Sequence, residues 1–140
     1  MNSENMNNSI EIYLNSDYEK FEKYERYQFL IKEMSSVLQK SSSLLDIGCA
    51  KGELIYLLQK RYNNIDYWGI EYSQELVNLA NKNLKNVNII QGNARNFNLN
   101  KRFDIIVMSR LLSIFDDVEE ILQNCINHLK KWILFHFWWI

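Results

Sequence analysis

The chain has 140 residues, 47% hydrophobic and 24% charged, the composition of one globular domain; fibrous and disordered classes are excluded. Sixteen Lys and Arg against 17 Asp and Glu leave a net charge of -1, so no long-range field draws the protein to a polyanion and no nucleic-acid partner is expected. Met1 to Asn8 is polar where a secretion signal is apolar, and Cys49 and Cys125 form no ligand cluster, so a cytoplasmic protein with no membrane partner and no metal is expected.

Residues 1–16 read as a flexible N-terminal segment and 17–140 as a single domain. From 17 to 39, Tyr24, Tyr27, Ile31, Met34 and Leu38 recur at three-and-four spacing and predict one helix face. Leu44 to Gly48 follows as an apolar strand, then a helix from Glu53 to Tyr62 and a strand from Ile65 to Ile70. Ser73 is placed to cap a helix carrying Leu76, Ala80 and Leu84 on one side. Val87 to Gln91 and Phe103 to Met108 are two further strands. The last helix runs from Asp117 to Leu129, with Val118, Ile121, Leu122, Cys125, Ile126 and Leu129 on one stripe behind the capping pair Asp116 and Glu119. Strand runs that are apolar on both faces, alternating with helices, predict an α/β fold with a doubly wound parallel sheet, whose ligands bind beyond the carboxyl ends of the strands.

The seven residues from Asp46 to Gly52 (Asp-Ile-Gly-Cys-Ala-Lys-Gly) carry the chemistry. They join a buried strand to a helix start through a tight turn, where backbone N–H groups are placed to meet a small ligand. Dinucleotide fingerprints space glycines as G-x-G-x-x-G, whereas the small residues here are Gly48, Ala50 and Gly52, with Glu53 in the place of the third glycine. A pyrophosphate would also face Asp46 and Glu53 at short range. A ligand with an ammonium, a sulfonium and one carboxylate inverts that problem, because Asp46 attracts its cations while the loop N–H groups receive its carboxylate. No Gly-Lys-Ser or Gly-Lys-Thr follows the turn, which excludes a Walker loop.

From Leu44 to about Lys131 the chain resembles the class I S-adenosylmethionine-dependent methyltransferases of the small-molecule type. The resemblance implies a Rossmann-like sheet of about five strands with helices on both faces, lacking the family's last two strands. It implies S-adenosylmethionine as cofactor, with Asp46, Gly48, Cys49, Ala50 and Gly52 around its methionine part and Glu71, beside Tyr72, on its ribose hydroxyls. Asn93, next to Ala94, stands where the family usually has an acidic residue near the adenine amino group. Ser109 and Arg110 begin the segment that closes over the cofactor. Ala50 replaces a usual glycine, and a methyl group is accommodated there at negative φ. The implied reaction is in-line methyl transfer to a small-molecule oxygen, nitrogen or carbon.

Taken singly, these residues carry less. The two glycines suit any α/β turn, and Glu71 alone is an ordinary carboxylate at a strand end; their order and spacing set the reading. Asp46 and Glu53 disfavour a Cys49 thiolate, so Cys49 reads as a small buried filler, and neither His128 nor His136 has a partner that would mark a catalytic base. No catalytic residue is assigned. After Lys131 the family's Gly-rich turn is replaced by Trp132 to Ile140, which holds three of the four tryptophans. This ending suggests a truncated domain whose last residues stand outside the family's fold; a fifth strand formed from them would leave an apolar edge suited to self-association. A vestigial cofactor-binding domain without turnover therefore stays open beside the enzyme.

Overall fold

The computed structural model describes residues 17–109, 111–130 and 134–137. Two helices come first, α1 (Tyr18–Phe21) and α2 (Glu25–Leu38), followed by β1 (Ser43–Ile47), α3 (Glu53–Gln59), β2 (Asp66–Glu71), α4 (Gln74–Asn83), β3 (Val87–Gln91) and β4 (Ile105–Ser109). A 3-10 turn (Leu112–Ile114), α5 (Glu119–Asn127) and β5 (Leu134–Phe137) complete the order. All pairings in the sheet are parallel and the strand order is β3-β2-β1-β4-β5.

Both faces of the sheet are covered, which is why its central strands read as continuous apolar runs. Leu44, Tyr67, Ile89, Ile105 and Val107 pack with Leu30, Ile31 and Met34 of α2, Ile55 and Leu58 of α3, and Val77 and Ala80 of α4. Leu45, Ile47, Ile70, Ile106 and Met108 face the other way, toward Phe97, Phe103, Ile121, Cys125 and Leu129. Because side chains alternate along a strand, β1 and β4 each feed both cores.

Several boundaries move from their sequence-based positions. The single helix expected from 17 to 39 breaks at residues 22–24, and Tyr24 stays exposed while Tyr27, Ile31, Met34 and Leu38 are buried as expected. Ser73 does cap α4, its side chain accepting the Leu76 N–H. In front of α5 it is Asp117, not Asp116, that accepts the Glu119 N–H, and Ile126 turns to solvent rather than into the stripe. Strand β3 is a sheet edge and exposes Ile90, so the apolar-both-faces expectation fails there. Leu134–Phe137 supply the fifth strand of the expected sheet, in register with β4, pairing Ile106 with Leu134 and Ser109 with Phe137. The flexible segment expected at 1–16 lies outside the described residues.

One carboxylate fastens the amino edge of the sheet. Asp104 Oδ2 accepts from the backbone N–H of Ser42 and Ser43 (both 3.0 Å), from their hydroxyls (2.8 and 2.9 Å) and from Lys130 Nζ (3.3 Å), joining β1, β4 and the end of α5. Burial pushes its carboxyl up, but these donors outweigh burial and hold it well below the usual carboxylate range. A depressed folded pKa gives stability that is complete above the unfolded value of about 3.9 and is lost as pH falls below it. Asp104→Ala should therefore cost about 2–3 kcal/mol at pH 7 in denaturant titration, by loss of charged hydrogen bonds, and should flatten the stability curve below about pH 4.

Candidate functional site

The carboxyl ends of β1, β2 and β4 converge on the turn after β1. There the backbone enters the left-handed region at alternate positions, with φ of 75° at Gly48, 51° at Ala50 and 81° at Gly52. Glycine takes this conformation without the Cβ clash of an L-residue. Space matters as well: a Cβ on Gly48 would stand 2.9 Å from Leu111 Cδ1, and one on Gly52 2.4 Å from Leu84 Cδ1. Ala50 has to hold its positive φ with a methyl group, so the negative φ expected from the sequence is corrected.

The N–H groups of this turn point into the fold. Gly48 and Cys49 both donate to Ile70 O (2.8 and 3.1 Å), Gly52 donates to Cys49 O (2.8 Å), and Ala50 donates to Glu71 Oε2 (2.9 Å). These four are thus not presented to a ligand carboxylate, contrary to the reading from sequence. What the turn gathers instead is negative charge. Asp46 and Glu53 are both buried, 3% and 1% exposed, and Glu53 Oε1 has no hydrogen-bond partner among the described residues. Burial, then the Glu53 and Glu71 carboxylates, push Asp46 up to about 8. Burial also raises Glu53, to about 7, while its own backbone N–H, Lys51 and Arg26 pull it down and Glu71 pushes it up. The Cys49 thiol is raised well above its ordinary value by burial and then by Asp46, Glu71 and Glu53, which agrees with a buried filler rather than a nucleophile.

Glu71 ties the turn to its surroundings. Its Oε2 holds Ala50 N–H, and its Oε1 accepts from Ser73 N–H (2.9 Å). Each oxygen retains a further lone pair. Its backbone carbonyl accepts from Gly92 N–H (3.0 Å), which brings the end of β3 alongside, and Tyr72 beside it is exposed. Asn93 is exposed, with its amide oxygen spent on Arg95 N–H (3.0 Å). Ala94 packs into the core with Ile70 and Phe97 and does not line the site. Ser109 ends β4 half-buried, and Arg110 lies outside the described residues.

Two contributors lie outside the residues expected at the site, and a third, Leu111, belongs to the segment expected to close over the cofactor. The sequence presents Glu53 only as a repulsive neighbour, whereas the structure buries it at the first position of α3, where an acid marks a site. Leu111 meets Gly48, which brings the segment after β4 onto the turn. Tyr18 donates its hydroxyl to Lys51 O (2.6 Å), and the buried Lys51 ammonium sits 4.6 Å from the Tyr18 ring centroid and 5.4 Å from that of Phe21. Helix α1 is thereby fastened to the turn. His128 is structural, as expected: Nε2 accepts Leu99 N–H (3.3 Å), Nδ1 lies 2.8 Å from Asn124 O, and the ring packs 4.5 Å from Phe97. Cavities of about 460 Å³ beside Asn96, Lys101 and Asn124 and of about 480 Å³ on the outer face of α5 are not lined by Asp46, Glu53 or Glu71. Among the described residues no helix is long and apolar enough to cross a membrane.

Residues 44–132 match the family model described as a methyltransferase domain. The chain is 28% identical over 89 residues to a demethylmenaquinone methyltransferase of Thermotoga maritima, covering 63% of this chain and 39% of that protein. It is 21% identical over 115 residues to a malonyl-[acyl-carrier protein] O-methyltransferase of Priestia megaterium, covering 81% and 42%. The chain thus spans about two fifths of the length of these relatives. Among solved structures, the plantazolicin methyltransferase BpumL in complex with SAH superposes with a TM-score of 0.70 at 26% identity, over 81% of this chain and 46% of that one. DesVI of Streptomyces venezuelae, at 20% identity and a TM-score of 0.66, covers 99% of this chain and 58% of its own and shares the fold.

The strained alanine generates a simple test. Ala50→Gly removes a left-handed L-residue, worth about 1–2 kcal/mol, against an unfolded-state entropy cost of about 0.4–1 kcal/mol. The variant should melt a few degrees higher, and an unchanged or lower Tm in thermal denaturation would place the strain elsewhere.

Proposed function

We propose, from the premise that this chain belongs to the methyltransferase domain family, that its turn binds S-adenosylmethionine and that the protein transfers the cofactor's methyl group to a small-molecule acceptor. The observation that carries this reading is a buried anionic turn directly beside a carboxylate at the end of the next parallel strand. The residues fit the group. Its ammonium and sulfonium suit Asp46 and Glu53 Oε1, which has no hydrogen-bond partner among the described residues, since two buried carboxylates repel each other until a cation joins them.

When bound, the cofactor supplies a methyl group that its sulfonium already makes electrophilic. The chain's own residues then have a positioning task. Asp46 and Glu53 hold the cationic end, and the remaining lone pairs of Glu71 accept the two ribose hydroxyls while its existing bonds to Ala50 and Ser73 keep the carboxylate in place. Leu111, packed against Gly48, covers the turn from the β4 side and limits water there. We assign Asn93, which follows β3, to the adenine edge through its amide NH2, since its oxygen holds Arg95 N–H, and Ser109, at the end of β4, to the side from which an acceptor approaches. SAH in the BpumL complex supports this reading of the cofactor.

Titration calorimetry with S-adenosylmethionine and with SAH should give one site per chain. Gly48→Val should abolish that heat with far-UV circular dichroism nearly unchanged, because the side chain meets both a positive φ and Leu111. Glu71→Ala should weaken binding by about 1.5–3 kcal/mol, the range for hydrogen bonds to a charged group. A ribose analogue lacking its hydroxyls should lose little more in that variant; a full additional loss would remove Glu71 from the ribose, and equal affinity in Gly48→Val would move the site off the turn.

A further inference from the structure

Two buried carboxylates at one turn are more than a single ligand ammonium needs. Asp46 is 3% exposed at the end of β1, Glu53 is 1% exposed at the start of α3, and one Glu53 oxygen has no hydrogen-bond partner among the described residues. The groups that face them come from four directions. Glu71 approaches from β2, Lys51 and Cys49 from the turn, Arg26 from α2 and Tyr18 from α1. The two cations among these are engaged elsewhere as well: Lys51 lies over the Tyr18 and Phe21 rings, and the Arg26 guanidinium lies 4.7 Å from the Tyr27 ring centroid and donates to the Tyr27 hydroxyl (3.3 Å).

We propose that Glu53 is a specificity-determining residue that couples cofactor binding to proton release: the ligand-free Asp46–Glu53 pair holds a proton, and a ligand that brings a cation into the turn expels it to solvent. The inference rests on the reading that the turn binds S-adenosylmethionine. Its physical cause is the cost of two anions in one buried, water-poor turn, which a shared proton relieves and a ligand ammonium or sulfonium relieves instead. The raised pKa values of Asp46 and Glu53, about 8 and about 7, put the exchange near neutral pH. No bond other than the carboxyl O–H is broken, and the proton passes to the buffer.

The sign follows from linkage. The ligand prefers the deprotonated pair, so affinity rises with pH through the range in which the pair titrates and levels off above it. Selection follows too, because a neutral isostere cannot expel the proton and gains nothing as pH rises. Glu53→Gln cannot ionise and removes one of the two carboxylates that, after burial, raise Asp46, so the variant should release fewer protons than the wild type.

The test is calorimetric titration of the full chain with SAH in phosphate and in Tris, buffers of different ionisation enthalpy, at pH 6, 7 and 8. The wild-type chain should release roughly 0.5–1 proton per site at pH 7 and bind roughly ten- to fiftyfold tighter at pH 8 than at pH 6. Glu53→Gln should give a smaller difference in heat between the two buffers and a shallower affinity profile than the wild type. If that variant does not fold, Asp46→Asn must show the same flattening. Measurable wild-type binding with equal heats in both buffers, or a variant that releases as many protons as the wild type, overturns the proposal. Absence of binding at every pH overturns the cofactor reading instead.

Discussion

The Glu71 carboxylate holds the carboxyl edge of the sheet together, and the site depends on it. One oxygen takes the N–H of Ala50, in the middle of the turn after β1, and the other takes the N–H of Ser73, ahead of α4. Ser73 in turn caps that helix. A single side chain therefore fixes the turn, the exit of β2 and the start of α4 relative to one another. The register of β1 on β2 sets this up, because pairing Ile47 with Ile70 puts Glu71 one residue beyond the last pair, level with the start of the turn. A carboxylate immobilised by two backbone donors cannot swing away, which suits it to receive a ligand's hydroxyls without further ordering cost.

With four of its N–H groups bonded inward, the turn presents shape and buried carboxylates. Gly48 and Cys49 spend their donors on Ile70 O, which brings the two strand ends close. The left-handed residues bend the chain tightly enough to put Asp46 and Glu53, seven positions apart, into one buried cluster. A glycine-rich turn at this place in a Rossmann-like sheet is usually understood through phosphate and exposed N–H groups. Here the same backbone geometry serves the opposite charge preference.

Most of the architecture was legible in the sequence because parallel strands covered on both faces leave continuous apolar runs, and such runs marked β1, β2 and β4 within two residues of their ends. The position of Glu71 was legible for the same reason, since strand length fixed where the acid falls. What stayed hidden was set by contacts distant in sequence. The sign of φ at Ala50 follows from the pull of Glu71, 21 residues away, on its N–H. The burial of Glu53 follows from α1 and α2 packing over the start of α3, and periodicity in the helix itself carries no trace of it. The break at residues 22–24 was invisible because Tyr24 keeps the spacing of a helix face while sitting just outside α2. Asp104 gave no signal either, since its worth lies in the serines it meets 61 and 62 positions upstream.

The two edges of the sheet use carboxylates in opposite ways. At the amino edge Asp104 is surrounded by donors and is ionised at a gain in stability, while at the carboxyl edge Asp46 and Glu53 are buried with too few. A carboxylate whose folded pKa is raised binds more protons in the native state than in the unfolded chain, so its contribution falls as pH climbs from about 4 through the folded value. Near neutral pH the ligand-free fold is therefore weakened at the site and secured at the opposite edge. A cation arriving in the turn removes that weakness, so ligand binding and stability are linked through the same two side chains. On the proposed reading, the cost of two buried carboxylates in the turn is what a positively charged ligand would relieve, and the anchor that keeps the sheet in register lies at the edge away from that exchange.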